Sequence, residues 1–196
     1  MRQSKGLFFT VLTLFSVLLL AGCVSLGRRQ PVSRNLSDPA IKSRNQLVKF
    51  FMRQNPEADK KQVKRLAEYY IEECLTEGIN SDCAFVQMCL ETGFLRFGNL
   101  VTPEMHNYCG LGAIDEDHRG ESFATEQLGV RAHIQHLHAY ATTEDIQLVN
   151  ELIDNRYKWV QPRGKAPTVF ELAGTWAADR EYGNKLDALL SRLEQF

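Results

Sequence analysis

Apolar positions recur at helical spacing in several stretches of this chain. The clearest runs through Val63, Leu66, Ala67, Tyr70, Ile71, Cys74 and Leu75. The i, i+3, i+4, i+7 pattern predicts an amphipathic helix that Gly78 ends. Asn55-Pro56-Glu57 reads as its start, with a capping Asn, a Pro at the first helical position and acids after it. Leu47, Phe50 and Phe51 sit at helical spacing ahead of it. Ser81 or Asp82 can cap a second helix with Phe85, Met88 and Cys89 inward, closed by Gly93. A Gly-rich irregular stretch follows, from Phe94 to about Gly120. A third helix is expected over Thr125–Tyr140, with Leu128, Val130, Ile134, Leu137 and Ala141 inward. A weaker helical segment is expected over Thr143–Leu152, a loop over Lys158–Pro167 and a final helix over Tyr182–Leu193. Strand alternation is absent, apart from a short β-hairpin that the pattern allows between Gly110 and Phe123. The fold class is therefore mainly α with an irregular lobe.

Length and composition narrow the picture. The 196 residues, 44% hydrophobic and 24% charged, suit one domain with a tether. They exclude a disordered chain and a multi-span membrane protein. A net charge of −1 argues against a dedicated nucleic-acid binder. The charge is uneven. Arg28 to Arg65 carries 11 Lys/Arg against 3 Asp/Glu, whereas Leu66 to Phe196 carries 10 against 21. A basic segment next to the N-terminus reads either as a solvated face or as a tether leaning on anionic lipid.

The first residues have the layout of an export signal. Arg2 and Lys5 precede an apolar run from Leu7 to Ala21, and Leu20-Ala21-Gly22-Cys23 closes it. That ending resembles a bacterial lipobox, which makes residues 1–22 a lipoprotein signal peptide and Cys23 the lipidated residue. Acyl chains would anchor the protein in a membrane, each buried CH₂ contributing about 0.8 kcal/mol. The implied location is the cell envelope, and the outer membrane facing the periplasm if the cell is Gram-negative. Residues 23–44, with Gly, Pro, Ser, Arg and Asn, read as a linker, and 45–196 as the domain. Cys74, Cys83, Cys89 and Cys109 remain, as disulfides or as free buried thiols. Metal-ligand spacing is absent among them, and the sequence implies no metal and no cofactor.

Glu91 is the first candidate for chemistry. It ends an amphipathic helix in Leu90-Glu91-Thr92-Gly93-Phe94. A helix C-terminus carries about half a negative charge and disfavours a second one. Apolar neighbours such as Phe94 or Phe97 act in the same direction by desolvation. Both raise the pKa, as a general acid near neutrality requires.

Further motifs follow in order: Asn107-Tyr108-Cys109-Gly110-Leu111-Gly112, then Gly129-Val130-Arg131-Ala132-His133, then Thr175-Trp176-Ala177 and Asp179-Arg180-Glu181-Tyr182-Gly183. Together with Glu91-Thr92-Gly93-Phe94 this series resembles the bacterial glucosaminidases of glycoside hydrolase family 73. Those are lysozyme-like enzymes that cut cell-wall glycan. The resemblance covers about residues 57 to 195 and implies a lysozyme-like helical domain acting on peptidoglycan glycan strands. It makes Glu91 the general acid for a β-1,4 bond after N-acetylglucosamine. It places Asn107, Tyr108 and Gly110 on the cleft, and has Tyr182 face the site. The second catalytic carboxylate is expected in the loop Ala113–Ser122, at Glu121 or Glu116. The substrate's own acetamido group is the alternative nucleophile. Core packing is the expectation for Trp176. Two other readings compete: a lytic transglycosylase using Glu91 alone, and a non-catalytic glycan-binding envelope lipoprotein.

Overall fold

The computed structural model describes residues 30–196; the signal segment and Cys23 lie outside the described residues. Among the described residues five helices carry the fold: α1 (Arg44–Gln54), α2 (Lys60–Glu77), α3 (Ser81–Glu91), α4 (Glu126–Ala141) and α5 (Tyr182–Leu193). Short 3₁₀ turns stand at Pro103–Met105 and Tyr157–Trp159. Among the described residues the only β pairing is isolated bridges, one of them Ala113 with Arg119 in the loop where a hairpin was allowed.

α3 is the centre. Every residue from Ser81 to Cys89 is buried, with its polar side chains, Asp82 and Gln87, bonded to other parts of the fold. α2 and α5 pack on it, and α2 also packs against α1 and α4. The core joins Phe50 and Phe51 of α1, Tyr70 of α2, Phe85 and Met88 of α3, Ile134 of α4 and Leu186 and Leu190 of α5. The Asn80 side chain accepts from the N–H groups of Asp82 and Cys83 and so starts α3. Glu91 is thereby delivered at the far end of the most enclosed helix.

Three sequence expectations are corrected. Asn55 does not open α2: its N–H closes α1 on the Phe51 carbonyl, and Asp59 caps α2 by accepting from Lys61 N–H at 2.8 Å. The Asn55 amide instead donates to the Phe94 carbonyl at 2.9 Å. The stretch 143–152 is not helical, because Glu77 of α2 takes the N–H groups of Val149 and Asn150 at 2.8 and 2.9 Å. From residue 30 the supposed linker is part of the domain. Val32 and Leu36 are buried in the core, Arg34 pairs with Asp187 and Glu194 of α5, and buried Asp82 accepts from Ile41 N–H at 2.9 Å. Local composition cannot show partners so distant in sequence.

All four described cysteines are free and buried. α2 and α4 are clamped by Glu73, nearly fully enclosed, which receives Arg131 in a two-pronged ion pair at 2.9 and 3.0 Å.

Candidate active site

α3 ends at Glu91, and the chain turns away sharply. Gly93, Phe94 and Leu95 are successive left-handed residues, with φ of 57°, 58° and 60°. Left-handed backbone costs a non-glycine residue roughly 1–2 kcal/mol. Packing and hydrogen bonds hold the turn: Phe94 lies against Phe50 and Phe51, and Thr92 Oγ1 accepts from Leu95 N–H at 2.9 Å. The strained turn sends residues 97–101 along one side of a trough that starts at Glu91.

The trough has two parts. The inner pocket, about 280 Å³, is lined by Glu91, Phe97, Val101, Gly110, Ala113 and Trp176 among others. Asn99 and Leu100 line it too, and they also line an outer basin of about 800 Å³ with Gly98, Glu116 and Arg119. The two adjoin at Asn99 and Leu100, an arrangement suited to an elongated ligand.

Glu91 Oε1 accepts from the Trp176 indole N–H at 3.1 Å and from the Tyr182 hydroxyl. Oε2 is the oxygen toward Gly110; a methyl group built on Gly110 would stand 3.9 Å from it. Gly110 has φ +69°, which favours glycine there. Burial raises the Glu91 pKa, and the hydrogen bonds from Tyr182 and Trp176 hold part of that rise back. The result is a half-buried carboxyl group biased toward its neutral form at the floor of a trough.

The other sequence-selected residues fall in different places. Asn107 borders the inner pocket, yet its amide is fully engaged with backbone. Nδ2 donates to the Leu111 and Glu121 carbonyls at 2.9 and 3.0 Å, and Oδ1 accepts from Leu111 N–H at 2.9 Å. It ties the lobe together and has no donor left for a sugar. Tyr108 is not on the cleft: it packs in the main core, and its hydroxyl has no hydrogen-bond partner among the described residues. Tyr182 is also buried, and reaches the site only through its bond to Glu91. Glu116 lines the outer basin, and the Glu121 side chain lies against Gly112. Among the described residues no acid but Glu91 lines the inner pocket.

Trp176, expected as core, does pack against the core, and it also lines the inner pocket and bonds to Glu91. His133, His136 and Tyr140 surround its ring at 5.1–5.7 Å between centroids and aim its N–H at Glu91. Its place in the Thr-Trp-Ala motif was the available signal. Burial pushes the Cys89 and Cys109 thiols well up, which removes the thiolate a cysteine nucleophile would need.

A mainly helical domain with a carboxyl group at the base of a trough defines a lysozyme-like class of protein. The chain belongs to the glucosaminidase family, described as mannosyl-glycoprotein endo-beta-N-acetylglucosaminidase, whose model matches residues 67–195. The domain is thus of the glycoside hydrolase kind, with a glycan such as peptidoglycan as substrate class. It is also similar to a protein of Borreliella burgdorferi described as an uncharacterized protein, 43% identical over 150 residues, which are 76% of this chain and 72% of that one. No solved structure matches.

Proposed function

We propose that the protein is a peptidoglycan hydrolase that cleaves the β-1,4 bond after N-acetylglucosamine, with Glu91 as general acid. One observation carries this reading: a carboxyl group kept toward its neutral form, with one oxygen bonded to protein and the other turned to an open trough. Glu91 donates its proton to the leaving glycosidic oxygen as the bond breaks. The inner pocket offers no second carboxylate. The attacking group is then the substrate's acetamido oxygen, or a water activated by Glu116 or Glu121 after the lobe closes on the glycan.

The lack of a second acid beside Glu91 equally favours a lytic transglycosylase. There Glu91 acts as acid and then as base, and the muramic acid 6-hydroxyl closes an anhydro ring. Chain-end analysis of digested peptidoglycan separates the two. After borohydride reduction and mass spectrometry, reduced N-acetylglucosamine ends support the hydrolase. Anhydromuramic ends support the transglycosylase, and no new ends would refute both.

We also propose that Cys23 is lipidated and holds the domain on an envelope membrane, the outer one in a Gram-negative cell. The lipobox-like pattern supports this. Labelled palmitate should enter the wild-type chain and not Cys23→Ala.

A further inference from the structure

Behind Glu91 runs a buried line of polar groups from four helices. Gln87, one turn before Glu91 on α3, bonds through Nε2 to the Tyr182 hydroxyl at 2.9 Å. Its Oε1 meets His133 Nε2 of α4 at 3.1 Å. His133 Nδ1 meets the Tyr70 hydroxyl of α2 at 2.8 Å. Tyr70, Gln87 and His133 are each at most 1% exposed, so each polar atom must find its partner within the line.

The buried Tyr70 hydroxyl has His133 Nδ1 as its partner, so its hydrogen is satisfied only by donating there, and the directions along the line follow from that. Burial lowers the His133 pKa to about 3, so the ring is neutral, with one donor and one acceptor nitrogen. The Tyr70 hydroxyl has its hydrogen to give, and His133 Nδ1 accepts it. His133 Nε2 then carries the ring hydrogen and donates to Gln87, whose carbonyl must face it. The Gln87 NH₂ is left facing Tyr182. Tyr182 therefore accepts from Gln87 and donates to Glu91 Oε1.

We infer that Gln87 and His133 are positioning residues that orient the Tyr182 hydroxyl so that the acid proton of Glu91 stands on Oε2, toward the trough. Oε1 already receives two donors, from Tyr182 and Trp176, and has no room for a proton of its own directed at them. With the other His133 tautomer the line would reverse. Tyr182 would donate to Gln87 and accept from Glu91, and the proton would point into the protein. This deepens the reading of Glu91 as general acid and rests on it.

The other titratable groups facing the line are His136 on α4, Cys109 in the lobe and the cysteines and Tyr108 around Tyr70; Asp154 bonds to His136. None accepts or donates within it.

The test compares wild type, Gln87→Met, Tyr182→Phe and the double variant on purified peptidoglycan across pH. A ¹³C NMR titration of the Glu91 carboxyl group runs in parallel and needs no activity. Gln87→Met should lower kcat by about tenfold to 100-fold with KM little changed. The Glu91 titration and the alkaline limb of kcat should move to higher pH, because the Tyr182 bond that favours the carboxylate is weakened. The double variant should match Tyr182→Phe alone, since Gln87 acts through Tyr182. Additive losses, or a kcat loss with an unmoved titration, would overturn the inference. If Gln87→Met does not fold, Gln87→Glu keeps the volume and, at a pH where the new carboxyl is ionised, replaces the donating amide by an acceptor. Its kcat should fall at least as far, and wild-type kcat there would also overturn the inference. Full activity in Glu91→Gln would instead remove the Glu91 reading itself.

Discussion

The Trp176 indole nitrogen stands 3.1 Å from Glu91 Oε1, although the two residues are 85 apart in sequence. That bond ties the end of α3 to the segment leading into α5, and it gives the half-buried carboxyl group a fixed orientation. Burial is the larger influence on its pKa and raises it.

A stability cost follows from that burial. Between the ordinary Glu range and the raised folded pKa, the folded protein binds more protons than the unfolded chain, so stability falls as pH rises. Above the folded pKa the whole cost is present. Glu91→Gln keeps an acceptor for Trp176 and Tyr182 and removes the charge. Its Tm should equal that of wild type near about pH 4 and exceed it by a few degrees near about pH 8. Thermal melts at the two pH values check this.

Asn107 is expected to act through the lobe and not through the sugar. Asn107→Ala leaves the buried Leu111 N–H and the Glu121 carbonyl without their amide partner, and should cost about 1–3 kcal/mol. Hydrogen exchange should rise across residues 107–121 and leave α2 and α3 unchanged. Loss of glycan affinity with unchanged exchange would contradict the structural role.

How much of this was readable in advance differs by element. The final helix was expected over Tyr182–Leu193 and is found there, because its Leu stripe and polar face are local signals. The start of α2, the non-helical stretch 143–152 and the packing of residues 30–43 were not readable. The last two depend on a side chain far off in sequence, Glu77 with Val149 and Asp82 with Ile41; the start of α2 turned on two nearby capping residues, Asn55 and Asp59, of which Asp59 is the cap. The site divides in the same way. Glu91 stood out from its helix-end motif, whereas Gln87 carries no local mark, and its contact with His133, though His133 stands in a quoted motif, is made only by the fold.

Gly129 should tolerate no side chain. A Cβ there would stand 1.8 Å from the His106 carbonyl oxygen, where α4 supports the base of the lobe. Gly129→Ala should cost on the order of 3 kcal/mol, read by urea denaturation, with the lobe displaced from α4.

The four described thiols should be silent in the native state. Burial raises the pKa of Cys74, Cys83, Cys89 and Cys109, so neither thiolate nor access is available. A thiol reagent should label none of them before unfolding and all of them after it, and reductant should leave the Tm unchanged.

The rate of glycan bond cleavage by Glu91→Gln, set beside wild type on the same purified peptidoglycan, bears most directly on the whole account. The variant should fold, bind glycan and lose about 10³-fold or more of the cleavage rate. Cleavage at the wild-type rate by a folded Glu91→Gln protein would contradict it.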